Sequence, residues 1–263
     1  MPLSAAQKSV LGLFLVLRDW SAGVFPQAFE RESAWESERH YSSSMTGLTQ
    51  EQVVELGNMK PFHIASDEFE FHSRSFIRIR DMLRTLHIFP PARIVELGCG
   101  QGWLSEMLAM TGFNVVGTSI APSDIHEARR RADAFALRKI PGSLSFAVSP
   151  MEHIDRSLAG IDCILVYEAL HHAFDWKETI RSVSRTLRAG GWFIICAEPN
   201  IAHTIISYRV GQLTKTHEVG ISRRALMKEL HATGFKTIKP FSTPLHFWMG
   251  WHWVAAQLQR PIG

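Results

Sequence analysis

An excess of charge of one sign is lacking: 28 Lys and Arg against 25 Asp and Glu leave a formal net charge of only +3 over 263 residues. Nucleic-acid-binding domains concentrate Lys and Arg on one face or stripe. Here Arg129, Arg130 and Arg131 form a run on a predicted helix, which reads as a solvated face, so no nucleic-acid partner is expected. Cysteine is scarcer still. Cys99, Cys163 and Cys196 each fall in or beside an apolar stretch of strand character, and none has metal-site spacing. Reduced, buried thiols in a cytoplasmic protein are expected. The histidines are scattered with no H-E-x-x-H motif, so no structural metal is expected. Long apolar runs are missing as well. Val10 to Leu17 is too short to cross a bilayer, and no clear small-residue cleavage site follows it. It reads as a packing helix, with a membrane-touching segment as the alternative.

What is present is an ordinary globular composition, 46% hydrophobic and 20% charged, enough for one α/β domain with additions or two small ones. The chain is organised around Arg93-Ile94-Val95-Glu96-Leu97-Gly98-Cys99-Gly100-Gln101-Gly102-Trp103-Leu104. An apolar strand, Ile94 to Leu97, breaks into glycines at alternate positions, and a helical pattern resumes with Leu104, Met107 and Leu108. Such a turn needs glycine because a Cβ forbids positive φ and holds a ligand away from the backbone. The helix that opens at about Gly102 adds unpaired N–H groups and a partial positive charge.

Nicotinamide and flavin enzymes use a glycine turn spaced G-x-G-x-x-G, whereas Gly98, Gly100 and Gly102 are spaced G-x-G-x-G, with Glu96 two residues before the first. In this the chain resembles the first motif of class I S-adenosylmethionine-dependent methyltransferases, (D/E)-x-G-x-G-x-G. The resemblance implies a Rossmann-like α/β sheet with helices on both faces and S-adenosyl-L-methionine as cofactor. The contacts implied at this turn are Glu96, Gly98, Cys99, Gly100 and Gly102.

Further motifs follow along the chain. Asn114 to Ser119 reads as the second parallel strand. The family expects a carboxylate for the cofactor's ribose hydroxyls 23 residues after Glu96, and this chain has Ser119 there, followed by Ile120. Pro122 opens the next helix at its first position, with Ala121 at the cap where the family has serine. Leu144 to Val148 reads as the third strand. Ser149-Pro150-Met151-Glu152 replaces the family's Gly-Asp-Met/Ala-Glu, with Met151 and Glu152 left as contacts to the adenine side. Ile161 to Val166 reads as a central strand buried on both faces. It runs into Tyr167-Glu168-Ala169-Leu170-His171-His172, where the resemblance places Tyr167 and Glu168 beside the cofactor and a histidine facing the acceptor. Leu187-Arg188-Ala189-Gly190-Gly191 matches the family's L-(K/R)-P-G-G except for Ala189. The resemblance covers residues 90–200.

Other expectations come from the residues themselves. A helix from Ser66 carries Phe69, Phe76, Ile79, Leu83 and Leu86 on one face, with Ser66 as cap. Asp175 and Glu178 form a capping box for a helix whose buried stripe is Trp176, Ile180, Val183 and Leu187, stopped by Gly190-Gly191. The fifth strand is Trp192 to Ala197. Helices near Ile201–Leu213 and Ser222–Thr233, a strand Phe235–Phe241 and a last strand within Phe247–Leu258 complete the chain. Trp248, Trp251 and Trp253 read as core or pocket residues, with a membrane interface as the alternative. Residues 1–64 read as a helical and loop extension, whose Trp20, Phe25, Phe29, Trp35 and Tyr41 suit segments folded over a site. Residues 65–263 read as the methyltransferase domain.

A base at a strand's carboxyl end that titrates near neutrality is wanted for a hydroxyl acceptor. His172 is preferred, then His171, with Glu198 from the neighbouring strand as rival or orienting partner. The expected activity is methyl transfer to a small-molecule or lipid- or glycan-linked acceptor. Ser119 and Pro150 keep a non-catalytic binding protein of the same fold as the alternative. A nicotinamide-dependent oxidoreductase is disfavoured by the glycine spacing.

Overall fold

The computed structural model describes residues 5–25, 29–41, 49–62, 68–242 and 250–259. Its centre is a seven-stranded sheet of order β3-β2-β1-β4-β5-β7-β6. The strands are β1 (Arg93–Leu97), β2 (Asn114–Ser119), β3 (Ser143–Val148), β4 (Ile161–Tyr167), β5 (Leu187–Pro199), β6 (Phe235–Pro240) and β7 (Trp251–Leu258). The first five run parallel, and β7 inserts antiparallel between β5 and β6. The chain winds outward from β1 to β3, returns to β4 beside β1, and winds the other way. A crevice therefore opens between β1 and β4 at the strands' carboxyl ends, the place where such sheets bind ligands.

Alternation along the strands builds two cores. On one face Ile94, Cys163, Leu165, Ile194 and Cys196 pack against Ile79, Met82 and Leu83 of a helix over Glu68–Thr85 and Leu104 and Leu108 of a helix over Trp103–Met110. On the other, Val95, Leu97, Ile164, Val166, Phe193 and Ile195 meet Ile180, Val183, Leu226 and Leu230. These strands are buried on both faces, which is why their sequences are nearly continuous in apolar residues. The three cysteines are buried and unbridged.

In chain order the helices are α1 (Ala5–Ser21), α2 (Arg31–Arg39), α3 (Gln50–Met59), α4 (Glu68–Thr85), α5 (Trp103–Met110), α6 (Pro122–Ala136), α7 (Trp176–Thr186), α8 (Ala202–Thr214) and α9 (Arg223–Ala232). One face of α1 lies on α8: a Cβ on Gly12 would meet the Ile205 carbonyl oxygen at 2.2 Å, and the Tyr208 hydroxyl donates to Asp19 at 2.7 Å. Its other face leaves Val10, Phe14 and Trp20 exposed. No helix among the described residues is long and apolar enough to cross a membrane.

Three expectations are corrected. Helix α7 ends at Thr186, and Leu187 is already extended, with ψ 144°, and paired with Ile161, so Gly190-Gly191 lies within β5 rather than stopping a helix. Pairing to the edge of β4 satisfies Leu187 backbone groups that one more helical turn would leave at an end. Asp175 caps α7 by accepting from the N–H groups of Lys177 and Glu178, but the Glu178 carboxylate pairs with Arg31 at 2.9 Å instead of returning to the cap. Phe69 is 39% exposed, so the first turn of α4 does not share the buried face that carries Ile79 and Leu83. The cap assigned to Ser66, and Phe247 and Trp248, lie outside the described residues. Trp253 is buried under the Arg78 guanidinium, 4.0 Å from the ring centre, whereas Trp251 is 42% exposed.

Candidate active site

The glycine turn forms the floor of the crevice. Gly98 has φ +67°, and a Cβ there would lie 2.6 Å from the Ala169 Cβ and 3.4 Å from the Met151 Cε, so the β1 turn and the loops after β3 and β4 close together only over glycine. Gly100 has φ +51° and nothing within 4 Å of a built Cβ. A side chain there would project into open space, and its absence keeps the backbone bare toward the crevice.

A cavity opens above this floor, lined by Gly98, Gly100, Ser119, Ile120, Ala121, Asp124, Pro150, Met151, Glu152, Glu168, Ala169, His172, Ala173 and Phe174, with Trp35, Glu38 and Tyr41 from the N-terminal segment. Among the residues singled out in the sequence, Gly98, Gly100, Ser119, Ile120, Met151, Glu152, Glu168 and His172 meet here. Glu96, Cys99, Gly102, Tyr167, His171 and Glu198 do not line it. Glu96 is buried at the end of β1, accepts a short hydrogen bond from the Ser105 hydroxyl, and is pushed up to about 8 by burial. The Tyr167 hydroxyl donates to Ser75 at 3.1 Å within the core. A Cβ on Gly102 would run into the Phe146 ring at 2.5 Å, so that glycine serves the packing of α5 and β3.

The cavity wall is acidic. Asp124 comes from the first turn of α6, just beyond Ser119, and burial raises its carboxyl to about 6. The Ser119 hydroxyl is itself engaged, accepting from the Ala121 N–H at 3.3 Å. Glu152 is buried and accepts from the Asp175 N–H at 3.0 Å. Glu168 has φ +50°, and burial, with Glu198 close by, raises its carboxyl. A non-glycine residue held in that region stores strain of about 1–3 kcal/mol, which the surroundings must offset.

Glu198 holds the turn that carries the histidines. Fully buried on β5, it accepts from the N–H groups of Ala169, Leu170 and His171 at 2.7, 2.8 and 3.1 Å, and its Oε2 lies 2.9 Å from the His171 Nδ1. Those bonds hold the carboxyl below its usual range against burial that pushes it up. His172 stands at the cavity wall. Its Nδ1 lies 3.5 Å from the Glu38 Oε2 and 3.7 Å from the Glu218 Oε1, and its ring packs edge-on to Tyr41 at 4.7 Å. Burial pushes His172 down, but Glu38, Glu218 and Glu198 together override that and raise it to about 9.

Two cavity carboxylates carry no local sequence signal of their own. Asp124 sits in an ordinary helical first turn, where acids favour the helix dipole, and Glu38 lies between Trp35 and Tyr41, whose aromatic rings, not its own charge, suggest a segment folded over a site. Only the fold turns them toward the crevice.

Residues 95–195 match the family model described as a methyltransferase domain. Among curated proteins, the ubiquinone biosynthesis O-methyltransferase of Methylocella silvestris is 33% identical over 99 residues, which are 38% of this chain and 37% of that protein. The enzyme of the same name from Ruegeria pomeroyi is 27% identical over 146 residues, 55% of this chain and 56% of that one. The chain thus spans between about a third and three fifths of the length of these relatives. Among solved structures, the CMeT domain of the citrinin polyketide synthase superposes with TM-score 0.61 at 17% identity, over 87% of this chain and 66% of that one. Geranyl diphosphate C-methyltransferase from Streptomyces coelicolor A3(2), solved with S-adenosyl-L-homocysteine, gives TM-score 0.51 at 15% identity, over 69% and 79%. At these identities the structural matches speak to the fold.

Proposed function

We propose that this chain, which belongs to the class I S-adenosylmethionine-dependent methyltransferase family through its sheet and residues 95–195, methylates a hydroxyl oxygen of a small-molecule acceptor. The observation that carries the reading is the bare glycine turn at the β1/β4 crevice, roofed by an acidic wall. The acceptor class is drawn from the curated relatives' name, ubiquinone biosynthesis O-methyltransferase. A lipid-linked acceptor is the finer form of the proposal.

The residues present fit the cofactor. Gly98 and Gly100 leave the backbone accessible where a polar end would approach, and Glu168, Glu152 and Asp124 give a cationic, hydroxyl-rich ligand carboxylates to meet. Asp124 takes over the ribose-binding role that Ser119 lacks the charge to fill. The cofactor supplies an activated methyl group, and the protein's part is alignment and proton handling. His172 holds the acceptor oxygen and takes its proton, with Glu38 behind it. Raised to about 9 rather than titrating near neutrality, it is deprotonated in only a minor fraction at pH 7, so turnover is expected to rise with pH up to about 9. Glu198 and His171 are positioning residues that fix the turn. The test is transfer of labelled methyl from S-adenosylmethionine to a panel of hydroxylated aromatic and prenylated acceptors. Labelled product is expected from at least one, and cofactor binding without transfer to any of them would contradict the O-methylation reading.

Asp124 provides a pH signature. The ionised carboxylate is the form that accepts from hydroxyls, and its pKa near 6 means that only about a tenth remains ionised at pH 5. Cofactor affinity is therefore expected to fall about tenfold from pH 7.5 to pH 5. Asp124→Asn should lower affinity by about 10–100-fold at pH 7.5 and flatten the pH dependence. The stability effect runs the other way. A carboxyl raised in the folded state contributes stability fully below its unfolded value, and loses that contribution as pH rises through about 6. Asp124→Asn should therefore stabilise the free protein at neutral pH, on the order of 1 kcal/mol by denaturant titration.

A further inference from the structure

Behind the cavity wall, three elements far apart in sequence bring nitrogen and oxygen donors together. His171 comes from the turn over Leu170–His172, His203 from the first turn of α8, and Glu218 from the segment after α8. One ring nitrogen of each histidine and one carboxylate oxygen of Glu218 all lie within 4.8 Å of one another, with His171 and Glu218 buried.

One edge of the triangle, now a hydrogen bond, already has the spacing that a cation needs. His203 Nε2 is 3.3 Å from Glu218 Oε2, and a tetrahedral ion with bonds of about 2.0–2.1 Å sets its ligand atoms about 3.3–3.4 Å apart. His171 Nδ1 is committed to the buried Glu198 carboxylate at 2.9 Å, which leaves Nε2 as the lone-pair nitrogen. That carboxylate–imidazole pairing is the usual support for a metal-bound histidine. Glu218 is supported in the same manner, because the Tyr41 hydroxyl donates to its Oε1 and leaves Oε2 toward His203.

A second observation is independent of the donor geometry. Glu38 Oε1 and His172 Nδ1, beside Glu218, are buried polar atoms with no hydrogen-bond partner. Glu38, Glu198 and Glu218 have side chains 9%, 0% and 4% exposed, and among the described residues their ion pairs are with histidines alone, never with Lys or Arg. Glu198 is satisfied by three backbone N–H groups and the His171 ring, which leaves Glu38 and Glu218 buried side by side. Holding two such carboxylates without a fixed cation is costly, and a divalent ion on Glu218 offsets that cost.

We propose that His171, His203 and Glu218 bind one divalent transition-metal ion, Zn2+ foremost, through two imidazole nitrogens and one carboxylate oxygen. The assignment stands apart from the methyl-transfer reading. Spacings of this kind match no metal motif, which is why the sequence predicted no metal.

The experiment uses the untagged full chain, stripped with a chelator and titrated with Co2+ and then Zn2+, with no methyl donor present. Uptake of one Co2+ per chain is expected, with visible absorption bands of a nitrogen- and oxygen-ligated ion that Zn2+ displaces. His203→Ala and Glu218→Gln should each lose the bands at unchanged far-ultraviolet circular dichroism, and Glu198→Gln should weaken binding by about 10–100-fold. Absence of stoichiometric uptake by the wild-type chain overturns the proposal, whatever the variants do. So does undiminished uptake in a folded His203→Ala.

Discussion

Gly98→Val is expected to abolish cofactor binding and to lower stability together. At φ +67° a β-branched residue is strained from the start. Its Cβ would lie 2.6 Å from the Ala169 Cβ, an overlap that only movement of the loop after β4 can relieve. Overpacking of this kind costs about 1–3 kcal/mol, and the loop that must move is the one that presents Glu168 and His172 to the cavity. Affinity for S-adenosylmethionine should drop more than about 100-fold, equivalent to about 2.7 kcal/mol, and the denaturation midpoint should fall. Gly100→Ala is the informative partner. Its Cβ meets nothing within 4 Å, so the fold should tolerate it far better while the ligand side of the turn loses its bare backbone. Calorimetric titration and a denaturant melt of both variants separate these effects.

His172→Ala carries the second large effect. His172 is the histidine at the cavity wall, held between Glu38 and Glu218 and stacked on His171 at 4.2 Å. A positioned group that handles a proton in the transition state contributes about 10²–10⁴ in rate, so kcat should fall by that factor. Cofactor affinity should stay within about twofold of wild type, because the glycine turn, Asp124 and Glu152 are untouched. A fall in kcat with unchanged cofactor affinity places His172 on the acceptor's side. Equal loss of both would mean that it merely supports the wall, and unchanged turnover would remove it from the mechanism.

The fold was largely legible because its central strands advertise themselves. Ile161–Tyr167 is a nearly continuous apolar run, the pattern that a parallel sheet covered on both faces wants, and Asn114–Ser119, with only Val115 and Val116 apolar, is marked by the Gly112 stop before it. The start of β5 was not legible. Leu187 satisfies the stripe of α7 as well as it satisfies a strand, and only the long-range pairing with Ile161 decides between them. The site divides along the same line. The glycine turn, Ser119, Met151, Glu152, Glu168 and His172 are reached by reading along strand ends, and they meet around one cavity. Asp124 and Glu38 look like ordinary helix acids until the fold turns them inward. Glu198 at a strand end resembles a catalytic acid from sequence, yet its oxygens are occupied by three backbone N–H groups and the His171 ring. Nothing local forecasts that saturation.

The central claim is that the bare glycine turn and its acidic roof form a working cofactor site despite Ser119 in place of the ribose carboxylate. Calorimetric titration of the purified chain with S-adenosylmethionine and its demethylated product, with NADP(H) as control, tests it most directly. Micromolar binding of the first pair, weakened in Asp124→Asn and lost in Gly98→Val, is the expected result. No binding of either compound, or binding of the nicotinamide cofactor instead, would contradict it.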